Sequence, residues 1–84
     1  MLEFVAAAVD RNDTVKVEAT LDGTPVCIFV SRDVIEDRLR LTGIDLDGSR
    51  IRLEENWVDF SEGLERAVRS HGNGVVVTTH MLNV

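Results

Sequence analysis

A single cysteine among 84 residues leaves the chain without an internal disulfide. The core must therefore hold the fold unaided, and a reducing, cytoplasmic setting is expected. Positive charge is also scarce, with nine Lys and Arg against fifteen Asp and Glu and a net charge of −6. Nucleic acids and anionic membranes both select basic surfaces, so neither is expected as a partner. No apolar run approaches the ~20 residues that cross a bilayer. The start Met1-Leu2-Glu3 lacks the basic residues of a leader, and the apolar run to Val9 ends without a cleavage-like stretch. Internal repeats and low-complexity tracts are absent as well. What is present is ordinary folded-protein composition, 44% apolar and 29% charged, which argues against intrinsic disorder. A chain of this length is expected to form one small domain over 1–84, burying about 60 to 65% of its unfolded surface. That leaves no room for a deep cleft between domains.

The organising stretch is Val15 to Ser31, two β-branched runs about Asp22-Gly23. Asp-Gly between such runs predicts a type I′ hairpin, because that turn needs positive φ at both central positions. With Leu21 facing Thr24, the ladder sets Ala19 opposite Val26, Val17 opposite Ile28 and Val15 opposite Val30, all on one face. Lys16, Glu18 and Thr20 occupy the other face with Phe29, Cys27 and Pro25 opposite them. A slip of one residue would turn the apolar set to solvent, so this register is expected to be unique. An isolated hairpin is marginal in water, and further elements must cover its apolar face.

Before it, Leu2 to Val9 reads as a strand, with Leu2, Phe4, Ala6 and Ala8 on one side and Val5, Ala7 and Val9 on the other. The alanines weaken that pattern, since they favour helix. Asp10-Arg11-Asn12-Asp13 supplies a polar turn. After the hairpin, Ser31 can cap a helix of about ten residues whose early acids and late Arg38 and Arg40 complement its dipole. Gly43 is the expected stop. Asp45 to Gly48 reads as a linker, with Ile44 facing Ile51 in a small hairpin as a second reading. From about Arg50 to His71, Leu53, Trp57, Phe60, Leu64, Ala67, Val68 and His71 share one helical face. Glu62 with Arg66 and Glu65 with Arg69 are favourable i,i+4 pairs. Gly63 inside this helix costs roughly 1 kcal/mol against Ala and points to a close contact or bend. Gly72-Asn73-Gly74 ends the helix, and Val75 to Leu82 reads as a last strand. The expected fold is α+β, in the order β-β-β-α-α-β, with an antiparallel-rich sheet and two helices packed on one face.

Val15-x-Val17, Leu21-Asp22-Gly23 and the segment Val26-Cys27-Ile28-Phe29-Val30-Ser31, taken together, resemble a small bacterial family of domains of unknown function, numbered fourteen eighty-eight. That family carries a strand and an Asp-Gly turn, a strand ending in serine, a short helix, a longer helix and a closing hydrophobic strand. Here the cysteine stands one place closer to the valine than in the family pattern. Leu53, Asn56 and Trp57 occupy positions where the family has phenylalanine, an asparagine-arginine pair and isoleucine. The resemblance implies an α+β fold in short bacterial proteins and implies no activity.

Candidate chemistry is sparse. Cys27 lies beside Phe29 and across from Glu18, and a neighbouring carboxylate opposes thiolate formation. Free cysteine more often packs than reacts. Cys27, His71 and His80 could ligate zinc only if distant segments converged, and no paired ligand spacing supports that. His71 suits a role at a helix C-terminus, His80 a place in the last strand, and Ser31 a cap in place of a nucleophile. Glu54, Glu55, Asp59 and Glu62 read as a solvated helix surface. Gly72-Asn73-Gly74 follows a helix and precedes a strand, the reverse of a phosphate loop. No cofactor or metal is expected. The residues whose placement asks for a partner are Cys27 and Phe29, apolar groups on a face that helices on the opposite side would leave in water. The function expected is thus a non-enzymatic accessory or protein-interaction domain that self-associates as a homodimer or binds a protein partner. The alternative is a small ligand-binding domain or enzyme using Cys27 or a histidine.

Overall fold

A computed structural model describes residues 1–82. Four strands form one mixed sheet in the order β1-β2-β3-β4, namely β1 (Leu2–Asp10), β2 (Thr14–Leu21), β3 (Thr24–Ser31) and β4 (Val75–Val77). Four helices complete it: α1 (Arg32–Leu39), α2 (Leu46–Glu55), α3 (Trp57–His71) and α4 (Thr79–Leu82). The fold is α+β, as the patterning predicts.

The central hairpin has the expected register, from Leu21 opposite Thr24 to Val15 opposite Val30. Asp22 and Gly23 both take positive φ, 51° and 87°, the geometry of a primed turn whose twist matches the strands. Val15, Val17, Ile28 and Val30 are fully enclosed, together with Ile35 of α1, Leu53 of α2 and Phe60 and Leu64 of α3. These residues belong to one hydrophobic cluster on one side of the sheet.

β1 departs from its predicted alternation. Leu2 and Phe4 face the core, but the pairing shifts between Phe4 and Ala6, so that Phe4 opposes Ala19 and Ala6 opposes Glu18. This is a β-bulge, in which one extra residue reverses the inward and outward alternation beyond it. Ala7 consequently packs against the core, and Ala6 and Ala8 join the opposite face with Glu18 and Lys16. Val5, the bulged residue, is left 58% exposed.

The helical half contains three corrections. First, α1 ends at Leu39, not at Gly43. Arg40 closes it in the left-handed conformation at φ 56°, and the Leu41 amide donates to the Glu36 carbonyl at 2.8 Å, the six-to-one bond of a Schellman ending. Second, the expected linker Asp45 to Gly48 is the start of a helix, and the Ile44–Ile51 hairpin does not form. Asp45 Oδ1 accepts from the Gly48 amide at 2.6 Å, and Asp47 lies in the first turn, where the dipole favours an acid. Third, the long helix is divided at Asn56, whose backbone (φ −114°, ψ 31°) leaves the helical range. Asn56 still donates to the Arg52 carbonyl through its amide at 3.0 Å and its side chain at 2.8 Å. Because a single residue makes the break, the apolar face runs on from Leu53 through Phe60, Leu64, Ala67 and Val68, all buried. Trp57 is half-buried, its ring 5.1 Å from that of Phe4. His71 falls outside the buried face and is exposed.

The last strand is much shorter than predicted. β4 pairs parallel to β3, with Ile28 opposite Val75, Phe29 opposite Val76 and Val30 opposite Val77, and the three helices between form the crossover that parallel strands require. β3 itself ends at Ser31, so past Val77 the chain has almost no backbone partner left to pair with. It turns instead into α4, which carries Leu82 into the core. A Cβ added at Gly63 would lie 2.7 Å from Leu82 Cδ2, which explains a glycine inside α3: its missing side chain makes room for Leu82. His80 consequently sits on α4 and not on a strand.

Candidate functional site

The helices cover one face of the sheet and leave the other open. Two transverse rows of side chains occupy the centre of that open face, and strand pairing defines both. One row runs Ala8, Lys16, Phe29, Val76; the other runs Ala6, Glu18, Cys27. Beyond Cys27 the Gly72-Asn73-Gly74 loop continues the second row. The Asn73 side-chain oxygen accepts from the Cys27 amide at 2.6 Å, and the Gly74 amide donates to the Cys27 carbonyl at 2.8 Å. This loop thus substitutes for the strand that β4 is too short to provide. The next residue of β3 whose backbone faces that edge is Pro25, which has no N–H to leave unpaired, so the free edge resists added strands.

Cys27 and Phe29, both predicted to lie on this face, do so and are half-buried. Their cover is partial and comes from neighbours in the sheet. A shallow depression of about 490 Å³ runs beside Cys27, bounded by Val5, Lys16, Glu18 and Pro25. A second, of about 430 Å³, lies beside Phe29 and Val76 and reaches Arg11 and Asn12 of the β1–β2 turn. Val76 is 61% exposed. Sequence reasoning missed Ala6, Ala8 and Val76 as members of this surface. The first two depend on the bulge, and Val76 depends on which strand lies beside Phe29. The hint available was the β-branched run itself, Val75-Val76-Val77, whose middle residue must point away from the core its neighbours fill.

The other candidates are dispersed. His71 and His80 line one small depression with Arg66 and Ser70, while Cys27 lies on the opposite side of the sheet from the helices. Among the described residues no three His, Cys, Asp or Glu side chains gather into a metal-binding group. Ser31 accepts from the Val34 amide at 3.4 Å as the cap of α1. In the acidic set, Glu54 pairs with Arg50 at 2.7 Å and Glu62 with Arg66 at 3.2 Å. No helix is long and apolar enough to cross a membrane among the described residues.

Charge is concentrated at the hairpin turn. Asp22 accepts from the amino group of Met1 and, at 2.8 Å, from Arg69 Nη2 of α3. Those two hydrogen bonds hold its carboxyl below the usual range, with the amino group the larger cause. Glu65 is also held low, first by its bond from Arg69 at 3.1 Å, and it accepts the Leu2 amide at 2.9 Å. The turn and the start of β1 are thereby tied to α3, and the open face stays clear of the helices.

No protein-family model and no curated protein matches the sequence. The fold does have a counterpart. A crystal structure of a protein of unknown function from the DUF1488 family of Shewanella loihica PV-4 superposes with a TM-score of 0.71, covering 90% of each chain at 13% identity. The likeness establishes a shared α+β architecture, and it falls on the same family that the hairpin and its closing serine resemble.

Proposed function

We propose that the protein is a non-enzymatic, cytoplasmic accessory module of bacteria that works by binding another protein through the open face of its sheet. The observation that carries this reading is the composition of the face. In its two central rows Phe29, Cys27 and Val76 on one side and Ala6 and Ala8 on the other flank Lys16 and Glu18 of β2, with Glu3 and Asp10 at the rim, and no helix packs on it. Sheets that face water on one side ordinarily alternate apolar inward with polar outward. Along the two central rows the outward set is apolar at five of seven positions, which marks a contact surface. Both depressions on the face are shallow and open to solvent, whereas a small-molecule site encloses most of its ligand.

The test compares tagged wild-type protein with Phe29→Glu, recovered from the native cell at equal levels, for both co-purifying proteins and self-association by light scattering. Expected is a partner, or a second copy, that is lost in the variant while circular dichroism stays unchanged. Strictly monomeric wild-type protein with an identical set of co-purifying proteins in both samples overturns the reading.

A further inference from the structure

We infer that the occupant of the open face is a second copy of this chain, packed face to face about a two-fold axis that lies between the two sheets and runs across the strands. This deepens the interaction reading above and rests on it. The argument is self-complementarity. An axis passing between the two central rows exchanges them, so the row Ala8-Lys16-Phe29-Val76 of one copy lies over the row Ala6-Glu18-Cys27 of its partner, with Val76 over the partner's Asn73 loop. Lys16 then meets the partner's Glu18, and Glu18 meets the partner's Lys16. The large Phe29 lies over the small Cys27, and alanine lies over alanine. All three matches arise together from a single operator, which is what an isologous interface requires. An axis along β2 would instead set Lys16 on Lys16 and Glu18 on Glu18. The exchange of rows also brings Asp10 near the partner's Glu3, but only at the solvated rim, where screening is strong.

Size sets the strength. Four strands spaced ~4.8 Å apart and three to four rows ~6.8 Å apart cover about 400 to 500 Å² per copy. Standard interfaces bury about 800 Å² per partner. The dimer is accordingly weak and reversible, visible at micromolar concentrations and above.

The pairing can be tested by charge exchange in sedimentation velocity over a concentration series. Wild type is expected to dimerise, whereas Lys16→Glu and Glu18→Lys each remain monomeric where wild type is dimeric. Mixing the two variants should restore a heterodimer, and the double variant Lys16→Glu/Glu18→Lys should restore the homodimer. Those last two arms exclude misfolding as the cause of the single-variant losses. Lys16 is the only lysine in the chain, so a carbodiimide cross-link in a mixture of light and isotopically heavy protein should yield a hybrid Lys16–Glu18 peptide. A dimer indifferent to both single variants, or a mixture that stays monomeric, overturns the proposed pairing. A monomeric wild type that captures a different protein, lost on Phe29→Glu, overturns the second copy and leaves the interaction reading intact.

Discussion

Neighbouring residues of β3 live in opposite surroundings. Ile28 and Val30 are wholly enclosed beneath the helices, while Cys27 and Phe29, one step away along the same backbone, lie on a face that no helix covers. Both sets are apolar, but only the first is fully enclosed by the chain. The contrast separates what holds this protein together from the face that the proposed function assigns to a partner. It also makes the prediction sharp, because substitutions on the two faces should move different observables.

The largest effect is expected on the enclosed side. Ile28→Ala removes a fully buried side chain from the middle of the sheet, and urea titration should show a loss of about 2 to 5 kcal/mol. Equilibrium unfolding of Gly63→Ala tests the helical wall of the same core. Ala gains roughly 1 kcal/mol of helix propensity, yet its methyl would stand 2.7 Å from Leu82 Cδ2. Overpacking costs about 1 to 3 kcal/mol, so the net effect should be destabilising, and combining the substitution with Leu82→Ala should make it markedly less than additive. Phe29→Glu, on the open side, should change unfolding free energy by less than about 1 kcal/mol while removing association. If it unfolded the protein as Ile28→Ala does, the contrast between the faces would collapse.

Two smaller effects probe the borders of the core. Arg40→Gly relieves a non-glycine residue at positive φ and should raise stability by about 0.5 to 1 kcal/mol, read as a higher urea midpoint. The hairpin turn should give an acid-labile increment. Asp22 and Glu65 both have depressed carboxyl pKa values in the folded state. Their contribution is therefore complete above the ordinary carboxylate range near pH 4 and is lost as pH falls through the lower folded values. Asp22 is 57% exposed and Glu65 29% exposed, so the increment is small and salt-sensitive. In Asp22→Asn the acid side of a stability–pH curve should be flatter than in wild type; an unchanged slope would show that the turn contributes nothing to it.

The structure also shows where sequence reasoning reaches and where it stops. The hairpin was legible in full because Asp22-Gly23 specifies a turn, the turn specifies a register, and the register decides which of Cys27 or Ile28 is buried. Cys27 and Phe29 were likewise legible as outward-facing. The rest of the open face was not, since Ala6 and Ala8 reach it through a bulge with no local signature and Val76 through a parallel pairing between distant segments. Asp45 to Gly48 reads as a linker because Asp47-Gly48 resembles a turn, and only the fold shows Asp45 capping a helix there. The Asn56 break left the periodicity from Leu53 to Val68 undisturbed, so counting positions at 100° could not find it.

By itself, then, the sequence determined the local geometry of the molecule: the primed turn, the alternation of β2 and β3, the apolar helical face from Leu53 to Val68, and the two apolar residues that face away from the core. These follow from backbone sterics and from the side-chain periods of strand and helix, which act over a few residues. Only the tertiary structure decided that Val75 to Val77 pairs parallel to β3, that the chain then turns helical to seat Leu82 over Gly63, and that Phe29 shares the open face with Val76, and Cys27 with Ala6 and the Asn73 loop. Those outcomes depend on which backbone groups still lack partners once the other strands are in place, and that is a property of the assembled sheet.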